Sequence, residues 1–306
     1  MAKRVLVASL SAAPLALAAC NSSDGLSSDP PKQVEKVATG GFTSPMDAVA
    51  SLDGKEFYFS AFDDLKQPGL FKVKSSAGAT AEVLAAGDPL EAPHGLVLSC
   101  DGKTLYAADI GGDAGAIYAI PTAGGSLGDL AVTGVLRPSG LAMGPDCKTI
   151  FATGRTDDWM PALFKIPTMG GAASPVWIGE PLVSPTGLHV DEAGVAWVMD
   201  HRAAGADGEG VLFAIPSDGS AANEVISDLK MGTFGGVSLT AGGGVAVMPT
   251  IDADGHGQLT SVEIASGEKQ QLATPDIMDP AGLRTARRAA VFAVVDSEGG
   301  AIYRAE

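Results

Sequence analysis

The residues with the clearest chemical potential are the histidines and a set of recurring aspartates. The string Asp252-Ala-Asp254-Gly-His256-Gly257-Gln-Leu-Thr-Ser-Val-Glu263 has the spacing of a calcium-binding loop, with Asp252, Asp254 and Glu263 as oxygen donors and Gly257 at the turn position. Calcium or another divalent metal is the cofactor such a string could hold. His256 stands where an Asp or Asn belongs, and imidazole suits a hard cation poorly. His94, His201 and His256 would suit zinc or copper if the fold brought them together. His189, beside Leu188 in a strand-like run, reads as an interior residue. Asp109, Asp200 and Asp296 end similar apolar segments. With Asp47, His94 and His201, the first two make up the candidate ligand-binding set, although their recurrence also fits a role in bonding the backbone of each repeat. No catalytic residue is assigned. No nucleophile elbow, Cys-His pair or phosphate-cradling glycine loop is expected.

These residues sit in a repeated frame, a hairpin seen best in Pro93 to Asp109 (PHGLVLSCDGKTLYAAD). Its copies begin at Pro45, Pro93, Pro138, Pro185, Phe234 and Pro280, 45 to 49 residues apart. The first strand alternates, as in Leu96 and Leu98. A tight turn such as Asp53-Gly54 or Asp101-Gly102 follows, where glycine supplies the positive φ of a hairpin. The second strand (Leu105-Tyr106-Ala107, Trp197-Val198-Met199) is apolar on both sides, as a buried inner strand should be. A third strand repeats as Gly210-Val-Leu-Phe-Ala-Ile-Pro and its relatives, and an edge-like fourth follows, as at Glu82-Val-Leu. Four strands in a unit of this length make one propeller blade.

The last copy stops after its third strand, and Val34 to Gly40 precedes the first copy as a spare fourth strand. Placed in blade six, it closes a six-bladed, all-β propeller over residues 34–306 and removes the open edges. No stretch carries a sustained helical period, so almost no helix is expected. Cys100 and Cys147 occupy the hairpin turns of adjacent copies, which predicts a disulfide.

The pattern xxGLxxxxDGxxLYxAD, clearest in Pro93 to Asp109 and echoed in Pro185 to Asp200, resembles the six-bladed propellers that include NHL-repeat proteins and the gluconolactonase (senescence-marker) family. In that family one divalent metal sits over the channel on a carboxylate, two asparagines and an aspartate. The matching positions here are Met46 or Asp47, His94, Ser139, Thr186, Gly235 and Ala281, with neither asparagine present. The resemblance also implies that the loops after each second strand share one mouth of the channel with the blade-to-blade connections. That face would collect Asp63, Asp64, Asp157, Asp158, Asp207, Glu209 and Glu298 and favour cationic partners.

The first residues carry a basic start at Lys3 and Arg4, an apolar run from Val5 to Ala19, and Leu17-Ala18-Ala19-Cys20. This is a secretory signal (1–19) whose exit resembles the lipobox of bacterial lipoproteins, with Cys20 lipidated. Residues 20–33, rich in Ser, Asp and Pro, would then tether the domain to the membrane. Asn21 after the cysteine favours the outer membrane under the sorting rule that the resemblance brings. The formal net charge of −16 becomes −18 without Lys3 and Arg4, which excludes nucleic acid as a partner. The expected protein is a monomeric envelope lipoprotein that binds a small molecule or an envelope protein through its acidic loop face. The alternative is a metal-dependent lactone hydrolase or lyase.

Overall fold

A computed structural model describes residues 26–204, 209–274 and 276–306, so the signal segment, Cys20 and Asp207 lie outside the described residues. The described chain forms six four-stranded antiparallel sheets, with no helix among the described residues. Blade two shows the plan: Pro93–Leu98 innermost, then Thr104–Asp109, Ala116–Pro121 and the short outer strand Gly128–Asp129. In blade six the outer strand is Val34–Thr39, paired antiparallel with Ala301–Ala305. The amides of Lys32 and Gln33 both donate to the Glu306 carbonyl, so the two chain ends are bonded to each other.

Each blade is too thin to bury its own faces, and the side chains explain how the ring solves this. Along Thr104–Asp109, Leu105 and Ala107 point into a core shared with blade one, while Tyr106 and Ala108 point into one shared with blade three. Among the described residues six such apolar clusters exist, each drawn from two neighbouring blades. The cluster between blades six and one, built on Phe57, Phe59 and Phe71 with Val295 and Ile302, is the one that only a closed ring can form. Two-faced burial is why the second strands read as continuous apolar runs.

At the axis the inner strands nearly touch. The Gly95 amide donates to the Ser139 carbonyl (2.9 Å), and a side-chain carbon on Gly95 would overlap that same oxygen. Gly140 faces the Thr186 carbonyl in the same way. The Pro-x-Gly signature therefore marks backbone packed on backbone around the axis.

Candidate functional site

In blade one the axial glycine is replaced by Asp47, and this single departure organises the mouth of the channel. Asp47 Oδ1 accepts from the Ala48 amide (3.0 Å). Its Oδ2 accepts from the Leu96 amide of blade two (2.9 Å) and from Arg284 Nη2 of blade six (3.2 Å). Arg284 Nη1 donates to the Leu188 carbonyl of blade four, so one buried guanidinium ties opposite sides of the ring. Both partners of this ion pair are buried, at 6% and 8% exposure.

His94 lies beside this pair, buried, with its ring edge-on to Phe234 at 4.3 Å between centroids. Burial, aided by the nearby Arg137 charge, lowers its pKa from 6.5 to about 4, so the imidazole is neutral at pH 7. His94 Nδ1, Thr186 Oγ1 and Arg284 Nε find no hydrogen-bond partner in the protein. All three residues line an axial cavity of about 30 Å³. That is room for roughly two waters, not for a sugar lactone. A divalent cation here would share Asp47 with a guanidinium and two backbone amides, and Ser139, Thr186 and Gly235 offer no further charge. These residues do not fit the metal that the family resemblance implies.

The other candidates are dispersed. Asp109 accepts from the amides of Glu91, Ala92 and Gly111, at 2.7 to 2.9 Å. Asp200 does the same for Val183, Ser184 and Arg202, and Asp296 for Met278, Asp279 and Gly299. Each buried carboxylate clamps the connection arriving from the previous blade, which accounts for its recurrence. His201 is half-buried, with Nδ1–H donating to the Ser184 carbonyl (2.9 Å); burial, then the Arg202 charge, lowers its pKa. His94, His201 and His256 form no cluster among the described residues.

Asp252, Asp254 and His256 do meet, with ligand atoms within 4.8 Å of one another. The cluster is an Asx-type turn in which Asp252 Oδ1 accepts from the amides of Asp254 (2.9 Å) and His256 (2.8 Å). Glu263 is not brought to it. Residues Gly257–Glu263 run as a strand, Glu263 pairs with Val245 at the far end, and the separation is about 20 Å at a strand's rise per residue. There Glu263 accepts the Ser266 hydroxyl. His189, on the inner strand of blade four, has Nδ1 3.4 Å from Ser238 Oγ of blade five, and burial followed by the Arg284 charge lowers its pKa to about 4. Cys100 and Cys147 form the disulfide between the turns of blades two and three.

Sequence reading passed over three features. Arg284 falls at an inner-strand position where the other repeats carry Val49, Val97, Ala142, His189 and Ser238, so a charge in that pattern was the available signal. Gly124-Gly125-Ser126-Leu127-Gly128 has Gly-x-Ser-x-Gly spacing, but it spans a turn into the outer strand of blade two and no helix follows, unlike a nucleophile elbow. The third feature is the loop bearing Trp159, which leaves a large aromatic half exposed.

No family model and no curated protein matches the sequence. Among solved structures, the chain is similar to a nidogen/laminin complex (18% identity, TM-score 0.59, 74% of this chain and 82% of that one). It is similar to TolB from Acinetobacter baumannii (12%, 0.51, 87% and 64%) and to the PQQ domain of pyranose dehydrogenase from Coprinopsis cinerea (11%, 0.61, 89% and 95%). At these identities the shared feature is the fold: the chain is a six-bladed β-propeller of four-stranded blades.

Proposed function

We propose that the chain is a binding module of the bacterial cell envelope, held by a lipid on Cys20 through the 20–33 tether, and that it works by presenting its loop face to a protein partner. The observation that carries this reading is where the polar groups are engaged. Asp47, Asp109 and Asp200 satisfy the protein's own amides and Arg284, and the axial cavity takes little more than water. What the ring leaves free is the rim of its loops. One solved structure of similar fold is a nidogen/laminin complex, an assembly of two proteins. The gluconolactonase-like alternative loses support because its ligand set is not reproduced.

The test is catalytic. A soluble form lacking the signal and Cys20, assayed on a panel of sugar lactones with calcium or zinc, is expected to give no turnover above background. Metal-dependent hydrolysis abolished by Asp47→Ala or His94→Ala would overturn the reading. The anchor is tested separately: palmitate is expected to label the wild-type protein in a lipoprotein-processing bacterium and not the Cys20→Ala variant.

A further inference from the structure

Among the described residues the same loop occurs in three blades, and one residue in it stands out. In blades one, three and five the turn after the second strand closes with the same two backbone bonds: Lys66 N to Asp63 O and Asp63 N to Gln67 O, Trp159 N to Thr156 O and Thr156 N to Met160 O, Gly255 N to Asp252 O and Asp252 N to His256 O. The fourth residue of each turn has positive φ: 64° at Lys66, 61° at Trp159 and 91° at Gly255. Glycine takes that conformation freely, whereas a bulky aromatic there is an outlier. Blade three nonetheless carries tryptophan, and the turn holds it 52% exposed.

The tryptophan is not alone. Among the described residues eight large apolar side chains are exposed, and four of them, Trp159, Met160, Ile178 and Val183, lie on the turn of blade three and on the end of its outer strand with the connection that follows, which are bonded to each other. Arg155 fastens them by donating to the Trp159 carbonyl (3.0 Å) and the Val183 carbonyl (3.3 Å). Met160 packs over Gly179, next to Ile178. Scattered exposed apolar residues need no explanation, but four gathered on a turn and the connection bonded to it do. Its rim is acidic, with Asp157 and Asp158 in the same turn and Glu180 in the adjoining connection, all exposed, while the Arg155 charge is directed at the two carbonyls.

The geometry points to this corner as the docking site for a segment of a partner protein that sets a Leu-, Ile- or Phe-type side chain against Trp159 and a Lys or Arg against Asp157, Asp158 and Glu180. The proposal rests on the reading of the chain as a protein-binding module and names its contact surface. Charge complementarity selects the occupant: an acidic rim repels anionic lipid, and a second copy of a chain with net charge −16 would bring like charge to it. Tryptophan is among the side chains in which the binding energy of protein–protein contacts concentrates, once a partner covers it.

The test uses the full mature chain to select binders from a library of random displayed peptides, with the leading peptides then titrated. Selected sequences are expected to pair Lys or Arg with a large apolar residue. Trp159→Ala is expected to weaken them by about tenfold or more, and Asp157→Asn with Asp158→Asn to weaken them severalfold and flatten the salt dependence. Trp159→Gly serves as the folding control and is expected to keep or raise the thermal midpoint, since glycine suits that φ. Peptides that bind Trp159→Ala undiminished would overturn this surface while leaving the binding-module reading in place. Failure to select any peptide would overturn it too. So would Trp159-dependent binding to phosphatidylglycerol vesicles, or Trp159-dependent self-association in sedimentation, with no peptide selected.

Discussion

At the scale of the residue, the centre of the molecule is one ion pair. Removing one member of a buried pair leaves the other charged and uncompensated, at a cost of about 3–5 kcal/mol. Asp47→Ala is therefore expected to lower unfolding free energy by that amount in denaturant titration, and Asp47→Ala with Arg284→Met to recover much of it. Equal destabilisation by the single and double variants would show that Arg284 does not need Asp47. His94 and His189 make a second expectation. Both titrate near 4 in the fold because burial disfavours their charged form, against 6.5 in the open chain. The unfolded chain thus binds more protons between those values. Stability is full above pH 6.5 and falls as the pH drops toward 4, by on the order of 3 kcal/mol per histidine. His94→Gln should flatten that slope in unfolding curves taken from pH 7.5 to 4.5, and an unchanged slope would refute the assignment. Asp47 and His94 could be picked from sequence because they stand at the inner-strand starts where the resembled family holds its metal. The pairing itself could not, since Arg284 and Phe234, although each departs from the repeat at its own position, reach Asp47 and His94 only when the ring closes over more than a hundred residues.

At the scale of the element, the blade was legible because its strands have no choice of face. Leu105 and Tyr106 each enter a different core, so both had to be apolar, and the axial glycines had to lack a side chain. The outer strands were harder to read: Gly128–Asp129 is two exposed residues long, and with nothing to bury it leaves little pattern. The calcium-like string was misleading for the complementary reason. Spacing alone does not distinguish a loop that wraps an ion from a turn that leads straight into a strand, and Leu259 and Val262 belong to the cores on either side of blade five. Gly140→Ala would drive a methyl group into the Thr186 carbonyl, and the expected loss is about 3 kcal/mol or more, read from chemical denaturation. A tolerated alanine there would mean that the inner strands are not in contact. Cys100 and Cys147 close a loop of sequence separation 47, and Cys100→Ser with Cys147→Ser is expected to cost about 4 kcal/mol by the loop-closure estimate.

At the scale of the whole molecule, stability and recognition are divided between the axis and the rim. Around the axis Asp47, backbone amides and Arg284 engage one another, with His94 Nδ1, Thr186 Oγ1 and Arg284 Nε left to the small cavity, and the six apolar clusters make every blade depend on its two neighbours. A rigid ring of this kind can hold a strained, exposed tryptophan on a loop without yielding. The most direct check on this division is calorimetric titration of calcium and of zinc into the mature chain, with Asp47→Ala alongside. Neither ion is expected to bind stoichiometrically at the axis, so the two proteins should not differ. One equivalent of tightly bound metal in the wild-type chain, lost in Asp47→Ala, would contradict that expectation.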